Sequence, residues 1–173
     1  MKIINYEFKA VAKNVDLLEQ KLIQLSPIFK GEDHQIDTYF NVPKGRLKLR
    51  EGNIENSLIY YERPDTADAK QSDVLLYEHT NSSIIKDILI KLHGIKVVVD
   101  KTRRIYFIDN VKFHFDRVKD LGTFVEVEAQ SDASDADIQQ LQSQCNQYFQ
   151  LFDLSPTDYI HVSYSDLLID LKK

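Results

Sequence analysis

Charged side chains recur at every second position in several strand-like stretches of this sequence. The first stretch is Asn5-Tyr6-Glu7-Phe8-Lys9, where aromatic residues alternate with polar ones. Alternate residues of a β-strand point to opposite faces, so this stretch has one apolar and one polar face. Later stretches repeat the arrangement, with polar positions at Lys48, Arg50, Arg63, Lys101, Arg103, Lys112, His114, Asp116, Glu126 and Glu128. Because charged residues are depleted in strands, these faces are candidates for a functional site.

These residue types suit the recognition of a phosphate chain. Arginine forks pair with phosphate oxygens, and lysines supply point charges. Carboxylates beside such a ligand would repel it unless they bind a divalent cation, and Mg²⁺ and Mn²⁺ favour oxygen ligands together with substrate phosphates. An antiparallel sheet of about eight strands can close into a barrel that holds one ligand. If the charged faces line that interior, they predict a metal-assisted phosphate-chain site.

A solvated surface is the alternative interpretation, because charge on one face of a strand usually faces water and cross-strand Glu–Lys pairs are common. Other chemistries have less support. The five glycines are scattered singly, which disfavours a glycine-rich phosphate loop. The five histidines show no metal-ligand spacing, although His114 lies on a charged face and could contact a ligand. Cys145 is the only cysteine, which excludes intramolecular disulfides and cysteine-based zinc sites.

Composition narrows the class of protein further. The 173 residues carry 22 Lys plus Arg and 27 Asp plus Glu, a net charge of −5. An acidic balance argues against duplex nucleic acid as a partner. No apolar run approaches the roughly 20 residues that cross a bilayer, and no secretory signal is present, so we expect a cytoplasmic protein without a membrane partner.

The periodic patterns predict an α+β fold. Strands are predicted at 3–12, 28–41, 46–51, 58–63, 72–79, 95–108, 111–118 and 123–129. Helices are predicted from Asn14 to Pro27, from Asn81 or Ser82 to Gly94, after an acidic entry at 131–137, and at 163–171. Since most strands follow one another as hairpins, we expect an eight-stranded antiparallel closed β-barrel, a tunnel with flanking helices.

Taken in order, eight segments of the chain resemble the CYTH superfamily, the triphosphate tunnel metalloenzymes. The segments are Glu7-Phe8-Lys9, Asp37-Thr38-Tyr39-Phe40, Gly45-Arg46-Leu47-Lys48-Leu49-Arg50-Glu51, Tyr61-Glu62-Arg63, Lys101-Thr102-Arg103, His114-Phe115-Asp116, Leu121-Gly122-Thr123-Phe124-Val125-Glu126-Val127-Glu128 and Ser163-Tyr164-Ser165-Asp166-Leu167-Leu168. The second and third segments look closest to the class IV adenylate cyclase branch. The resemblance implies one CYTH-like domain over residues 1–173, with a small-molecule triphosphate such as ATP along the tunnel axis. By analogy with cyclase relatives, a homodimer is also expected.

The resemblance also implies roles for individual residues. Glu7, Glu126, Glu128 and Asp116 would hold one or two Mg²⁺ or Mn²⁺ ions. Lys9, Lys48, Arg50, Arg63, Lys101 and Arg103 would bind the substrate phosphates. Glu7, Lys9 and Asp116 would be the catalytic residues.

Three activities are compatible with such a tunnel. The first is class IV adenylate cyclase-like conversion of ATP to cyclic AMP and pyrophosphate. The alternative is a triphosphatase that hydrolyses inorganic, thiamine or nucleoside triphosphate, and a further alternative is a non-catalytic phosphate-chain binder. The family signature Glu-x-Glu-x-Lys begins here with Asn5, a neutral ligand where a carboxylate is expected. This departure bears on the number of metal ions and on catalysis rather than on the fold.

Overall fold

The computed structural model describes residues 2–62, 70–132, 134 and 137–173. Over these residues it has eight strands: β1 (Lys2–Val11), β2 (Ile28–Phe40), β3 (Arg46–Glu51), β4 (Ser57–Glu62), β5 (Lys70–Glu78), β6 (Ile95–Ile108), β7 (Val111–Val118) and β8 (Gly122–Asp132). The α-helices are α1 (Val15–Ile23), α2 (Ser83–His93), α3 (Ile138–Leu151) and α4 (Tyr164–Leu171), and a short 3-10 helix spans Pro156–Asp158. None of the helices in the described ranges combines the length and apolar character that a membrane crossing requires.

The strands form one closed barrel in the order β1-β5-β4-β3-β2-β6-β7-β8. Every pairing is antiparallel, including the β1–β8 pairing that closes the barrel. The predicted α+β barrel with flanking helices is therefore confirmed. Because successive strand residues alternate between the two faces, each strand gives one set of side chains to the interior and another to the outside.

The main hydrophobic core lies outside the barrel wall. Apolar residues on the outer faces of β1, β7 and β8 pack against α1 and α3, and the cluster contains Phe8, Phe113, Phe115, Val125, Val127, Leu22, Leu141, Cys145 and Phe152. The Phe113 and Tyr148 rings meet edge to face with centroids 4.6 Å apart. Burial of this surface stabilises the barrel without filling its interior.

Helix α4 closes one end of the barrel. Tyr164 and Leu168 pack against apolar side chains on the inner faces of the strands, at Tyr39, Val97, Val99, Val118 and Phe124. The helix begins at a capping box in which Ser163 and Asp166 bind each other's backbone N–H groups. Arg46 Nη2 donates to Asp166 Oδ2 at 2.9 Å and so ties the helix to β3. The charged interior therefore begins directly beneath this helix.

Several predicted strand bounds differ from the structure by one or two residues, and two boundaries differ by about three. The last strand was predicted to end at Ala129 with an acidic helix entry from Ser131, but β8 runs to Asp132 because it keeps pairing with β1. Asp137 is the N-cap of α3, where its side chain accepts hydrogen bonds from two backbone N–H groups. The first helix ends at Ile23, ahead of Pro27, because the chain turns at Ser26 with a φ of 53°.

Candidate functional site

The barrel interior is a polar cavity of about 700 Å³. Eight residues predicted for the site line it: Glu7, Lys9, Lys48, Arg50, Lys101, Arg103, Glu126 and Glu128. Arg63, the remaining predicted phosphate ligand, lies outside the described residues. The charged strand faces thus converge inside the barrel, and the interpretation of these faces as a solvated surface is wrong for the described strands.

Asp37 on β2 holds three of the interior cations in place. Its carboxylate accepts two hydrogen bonds from Arg50, from Nε and Nη2, each at 2.9 Å. Lys101 Nζ donates to Asp37 Oδ2 at 2.8 Å, and Lys48 Nζ lies 3.2 Å from the same oxygen. Burial by itself would raise the pKa of Asp37, but the charges of these cations lower it well below its usual value. Asp37 therefore stays ionised and orients the cations along one wall.

Asp116 on β7 orients the guanidinium of Arg103 on β6, as Asp37 orients its cations. The two residues are directly opposite in the strand register, and Arg103 donates from Nε at 2.7 Å and from Nη2 at 2.6 Å. Tyr164 Oη from α4 donates to Asp116 Oδ2 at 2.7 Å. Arg103 Nη2 also donates to Glu126 Oε2 at 3.3 Å. The carboxylate of Asp116 is therefore engaged with a cation and a phenol, rather than grouped with the other acidic residues.

His114, Glu126 and Glu128 form a group that could hold a metal ion. One ligand atom of each residue lies within 4.8 Å of the others. Neither ring nitrogen of His114 has a hydrogen-bond partner among the described residues, although its side chain is buried. Burial lowers the pKa of His114, as do the charges of Arg103 and Lys112, so the imidazole is neutral and can donate a lone pair.

The acidic members of this group repel one another. Burial raises the pKa of Glu128, and the neighbouring charges of Glu126 and Glu7 raise it further. Glu7 on β1 is directly opposite Glu128 in the register. A divalent cation bound to these oxygens and to the imidazole nitrogen would reduce this repulsion, so the residues present fit such an ion.

Lys9 lies between the group of His114, Glu126 and Glu128 and helix α4. Its Nζ is 3.5 Å from Glu126 Oε2 and 4.0 Å from the centroid of the Tyr164 ring, which is a cation–π geometry. Lys9 and Glu126 are also direct neighbours in the β1–β8 register. The ammonium group is thus next to both the acidic group and Arg103, where a phosphate could contact all of them.

A loop between β3 and β4 inserts another carboxylate into the cavity. Glu55 Oε2 accepts hydrogen bonds from Arg50 Nη1 and from Gln35 Nε2, each at 3.1 Å, and Glu55 Oε1 pairs with Lys112 Nζ. Burial would raise the pKa of Glu55, but Lys112 and Arg50 lower it to about 2. Glu55 is therefore an anion at neutral pH and bridges cations from two separated strands.

The loop is rigid because buried Asp33 anchors its backbone. Asp33 Oδ1 accepts from the N–H groups of Asn53 and Ile54, at 2.5 and 2.9 Å, and Oδ2 accepts from Glu55 N at 2.9 Å. Gly52 is required for this close approach, since a Cβ at that position would lie 2.6 Å from Asp33 Oδ1.

Sequence patterns had given no role to several residues of this site. The sequence places Asp37 and Tyr164 only within family-like segments, Lys112 only on a charged face, and His114 on a charged face as a possible ligand contact without a metal-binding role, and it gives no signal for Glu55. Strand alternation was the available signal for His114 and Lys112. The position of Glu55 depends on a loop and has no periodic signal.

Comparisons with known proteins agree with this architecture. The CYTH domain family model matches residues 4–158. Among curated proteins, none matches the chain in sequence. The structure of PH1012 protein from Pyrococcus horikoshii OT3 is similar, with 23% identity, a TM-score of 0.83, and coverage of 94% of this chain and 98% of that one.

Two further solved structures carry names that refer to activities. One is a putative adenylate cyclase from Vibrio parahaemolyticus, with 21% identity, a TM-score of 0.76, and coverage of 96% and 98% of the two chains. The other is a putative adenylyl cyclase from Hippeastrum described as having a dominant triphosphatase activity, with 13% identity, a TM-score of 0.62, and coverage of 99% and 96%. At these identities the structural likeness establishes the fold, and the family assignment rests on the match over residues 4–158. The chain belongs to the CYTH family, as its ordered segments predicted.

Proposed function

We propose that this protein is a metal-dependent enzyme that acts on a triphosphate bound inside the barrel. The observation that supports this most strongly is a set of buried cations, oriented by Asp37 and Asp116, beside the His114, Glu126 and Glu128 group. Fixed cations at this density suit a ligand with several phosphates. The adjacent carboxylates suit the divalent ion that such a ligand brings with it.

The interior residues then form two groups, one that binds phosphate and one that binds the metal ion. Lys9, Lys48, Arg50, Lys101 and Arg103 contact phosphate oxygens, with Arg63 as a further predicted ligand. Glu126 and Glu128 hold Mg²⁺ or Mn²⁺ together with His114, and Glu7 is a fourth candidate. The bound ion supplies Lewis acidity at a phosphoryl oxygen. Lys9 is suited to stabilise charge that develops on the phosphate, since its ammonium group faces the same space.

The placement of Asp116 favours a positioning role over the predicted metal-binding and catalytic roles. Both of its oxygens already accept hydrogen bonds from Arg103, and Tyr164 adds another. Such a carboxylate fixes the guanidinium that contacts the phosphate. Asp116→Asn should therefore raise the KM for the triphosphate more than it changes the affinity for the metal ion.

Hydrolysis of the triphosphate is the reaction that the site supports best, because it needs only the phosphate-binding cations, the metal ion and water. The Hippeastrum protein of the same fold is described as having dominant triphosphatase activity. Cyclisation of ATP is the second candidate, in line with the Vibrio putative adenylate cyclase and with the segments noted above. A non-catalytic binder remains the third candidate, since Asn5 provides one carboxylate fewer than the family signature.

One assay distinguishes these functions. The protein is incubated with ATP and with inorganic tripolyphosphate, each with Mg²⁺ or Mn²⁺, and the products are separated. Orthophosphate identifies a hydrolase, cyclic AMP with pyrophosphate identifies a cyclase, and tight binding without turnover identifies a binder.

Glu126→Gln tests the assignment of the metal ligand. We expect turnover to fall by about 100-fold, roughly 2.7 kcal/mol of transition-state stabilisation, because the amide is a weaker metal ligand. Glu32→Gln is the matched control, since Glu32 pairs with Arg104 on the outside of the barrel. Equal activity in the two variants would contradict the proposed metal site.

A further inference from the structure

Glu55 lies where the cationic lining of the barrel ends. On β6 the inward residues change from Lys101 and Arg103, which lie towards α4, to Phe107 near the opposite end. On β1 they change from Lys9 and Glu7 to Asn5 and Ile3. The tunnel is therefore densely charged from α4 up to the layer of Glu7, Glu128 and Lys112, and beyond it the described lining adds one lysine, Lys30, and one carboxylate, Glu78.

Glu55 occupies this boundary layer and reaches across the cavity. Its carboxylate contacts Arg50 on β3 and Lys112 on β7, strands that are separated by β2 and β6 in the barrel. Lys112 is opposite Glu128 in the β7–β8 register, and Glu128 is opposite Glu7 on β1. Three carboxylates thus share one layer with Lys112 and with the Arg50 guanidinium that contacts Glu55.

The contacts of Glu55 leave its carboxylate little freedom to withdraw. Its own backbone N–H and those of the two preceding residues bind Asp33, which is fully buried. Gly52 and Asn56 bind each other across the same loop, through Gly52 N to Asn56 Oδ1 at 3.1 Å and Asn56 Nδ2 to Gly52 O at 3.0 Å. A fixed anion at this depth repels any phosphate that extends past the cationic stretch.

We infer that Glu55 is the end-stop of the phosphate site: its carboxylate marks the end of the space that phosphates can occupy, and it limits the substrate to a short phosphate chain. The inference rests on the proposed triphosphate function, which it deepens by excluding long linear polyphosphates as substrates. A triphosphate lies between α4 and Glu55, whereas the further phosphates of a longer chain would meet the Glu55 carboxylate. Beyond that point Asn5, Ser72 and Ile3 are neutral, and Lys30 is the single cation among the described lining residues.

The test compares the affinity for tripolyphosphate with that for a linear polyphosphate several times as long, by calorimetry at a fixed free Mg²⁺ concentration. The wild-type protein should prefer tripolyphosphate by at least about tenfold. Glu55→Gln should reduce this preference by about tenfold, equivalent to about 1.4 kcal/mol. Glu62→Gln should leave it unchanged, because Glu62 pairs with Lys44 and Tyr60 at the barrel surface.

A role of Glu55 that is only structural would alter both affinities equally, and that result would overturn the inference. Equal wild-type affinities for the two ligands would overturn it as well. If Glu55→Gln does not fold, Glu55→Asp retracts the carboxylate while keeping its charge, and it should weaken the preference by a smaller factor. Failure of the wild-type protein to bind tripolyphosphate at all would refute the proposed function itself, whereas normal binding with unchanged chain-length preference would refute only the end-stop.

Discussion

Val125 and Glu126 are neighbours in β8, yet their side chains meet opposite environments. Val125 is fully buried in the cluster between the barrel and its helices. Glu126 points into the cavity towards Lys9 and Arg103. The same alternation holds for Phe113 and His114 on β7. Apolar side chains on the outer face of the strands thus stabilise the fold, and charged side chains on the inner face are available to bind a ligand. Substitutions on the outer face should therefore mainly lower the free energy of unfolding, and those on the inner face should mainly weaken ligand binding.

The largest stability effect is expected on the outer face, at Phe113. Replacing this fully buried ring by alanine removes its contact with Tyr148 and leaves a cavity. We expect Phe113→Ala to lower the free energy of unfolding by about 3–5 kcal/mol, measured by urea denaturation. Glu126→Gln on the inner face is the variant for comparison. If it lowers the free energy of unfolding as much as Phe113→Ala does, the proposed difference between the two faces is wrong.

Asp37 is the expected exception on the inner face, because its carboxylate pairs buried cations, and Asp37→Asn should lower the free energy of unfolding somewhat less than Phe113→Ala. The variant leaves Arg50, Lys48 and Lys101 without their shared carboxylate, which should cost about 3 kcal/mol. Added tripolyphosphate should recover more of this loss than it recovers in Phe113→Ala, because the ligand replaces the missing negative charge. Identical recovery of the two variants in thermal denaturation would argue against a polyanion at this position.

The pH dependence of the free energy of unfolding tests whether the ionised Glu55 carboxylate in the cavity stabilises the fold. Its pKa is about 2 in the folded protein against an ordinary value of 4.5. The folded state therefore gains stability from ionised Glu55 above pH 4.5 and loses it as the pH falls from 4.5 through 2. Ionised Glu55 contributes on the order of 2–3 kcal/mol to the free energy of unfolding at neutral pH. Wild type should be more stable than Glu55→Gln at pH 7, and this difference should shrink towards pH 2 in urea titrations; a constant difference would contradict the ionic role.

The smallest effect concerns Cys145, which belongs to the outer core. Burial raises the pKa of its thiol to about 12. The folded protein should therefore react very slowly with a thiol reagent at pH 8, and the reaction should become fast in denaturant. Rapid modification without loss of structure would show that α3 packs on the barrel too loosely to keep the Cys145 thiol buried.

Strand alternation placed the charged residues on one face of each strand, and it left open whether these faces converge or meet solvent. The bounds of β3, β6 and β7 were predicted correctly, because turn residues flank each of these strands in the sequence. Hairpins account for five of the eight strand pairings, whereas closure also needs the β1–β5, β2–β6 and β1–β8 pairings between strands that are not consecutive, and it brings Glu126, Arg103 and Lys9 together.

Other features of the site depend on contacts that alternation does not encode. Asp37 binds the cations of β3 and β6 only because both strands neighbour β2. Glu55 reaches the cavity through a loop held by Asp33, and Tyr164 reaches it from a helix at the far end of the sequence. These are tertiary contacts between distant segments, so neither their existence nor their partners could be derived from local patterns.

The pairing of β1 with β8 has a consequence for the order of folding. These strands are far apart in the sequence, and pairings of this kind form late because the intervening chain must first be ordered. The pairing also brings Glu7 and Lys9 to Glu128 and Glu126. We expect the β1–β8 pairing to form after the folding transition state, in which case a ligand of the proposed site should slow unfolding and leave the rate of folding nearly unchanged.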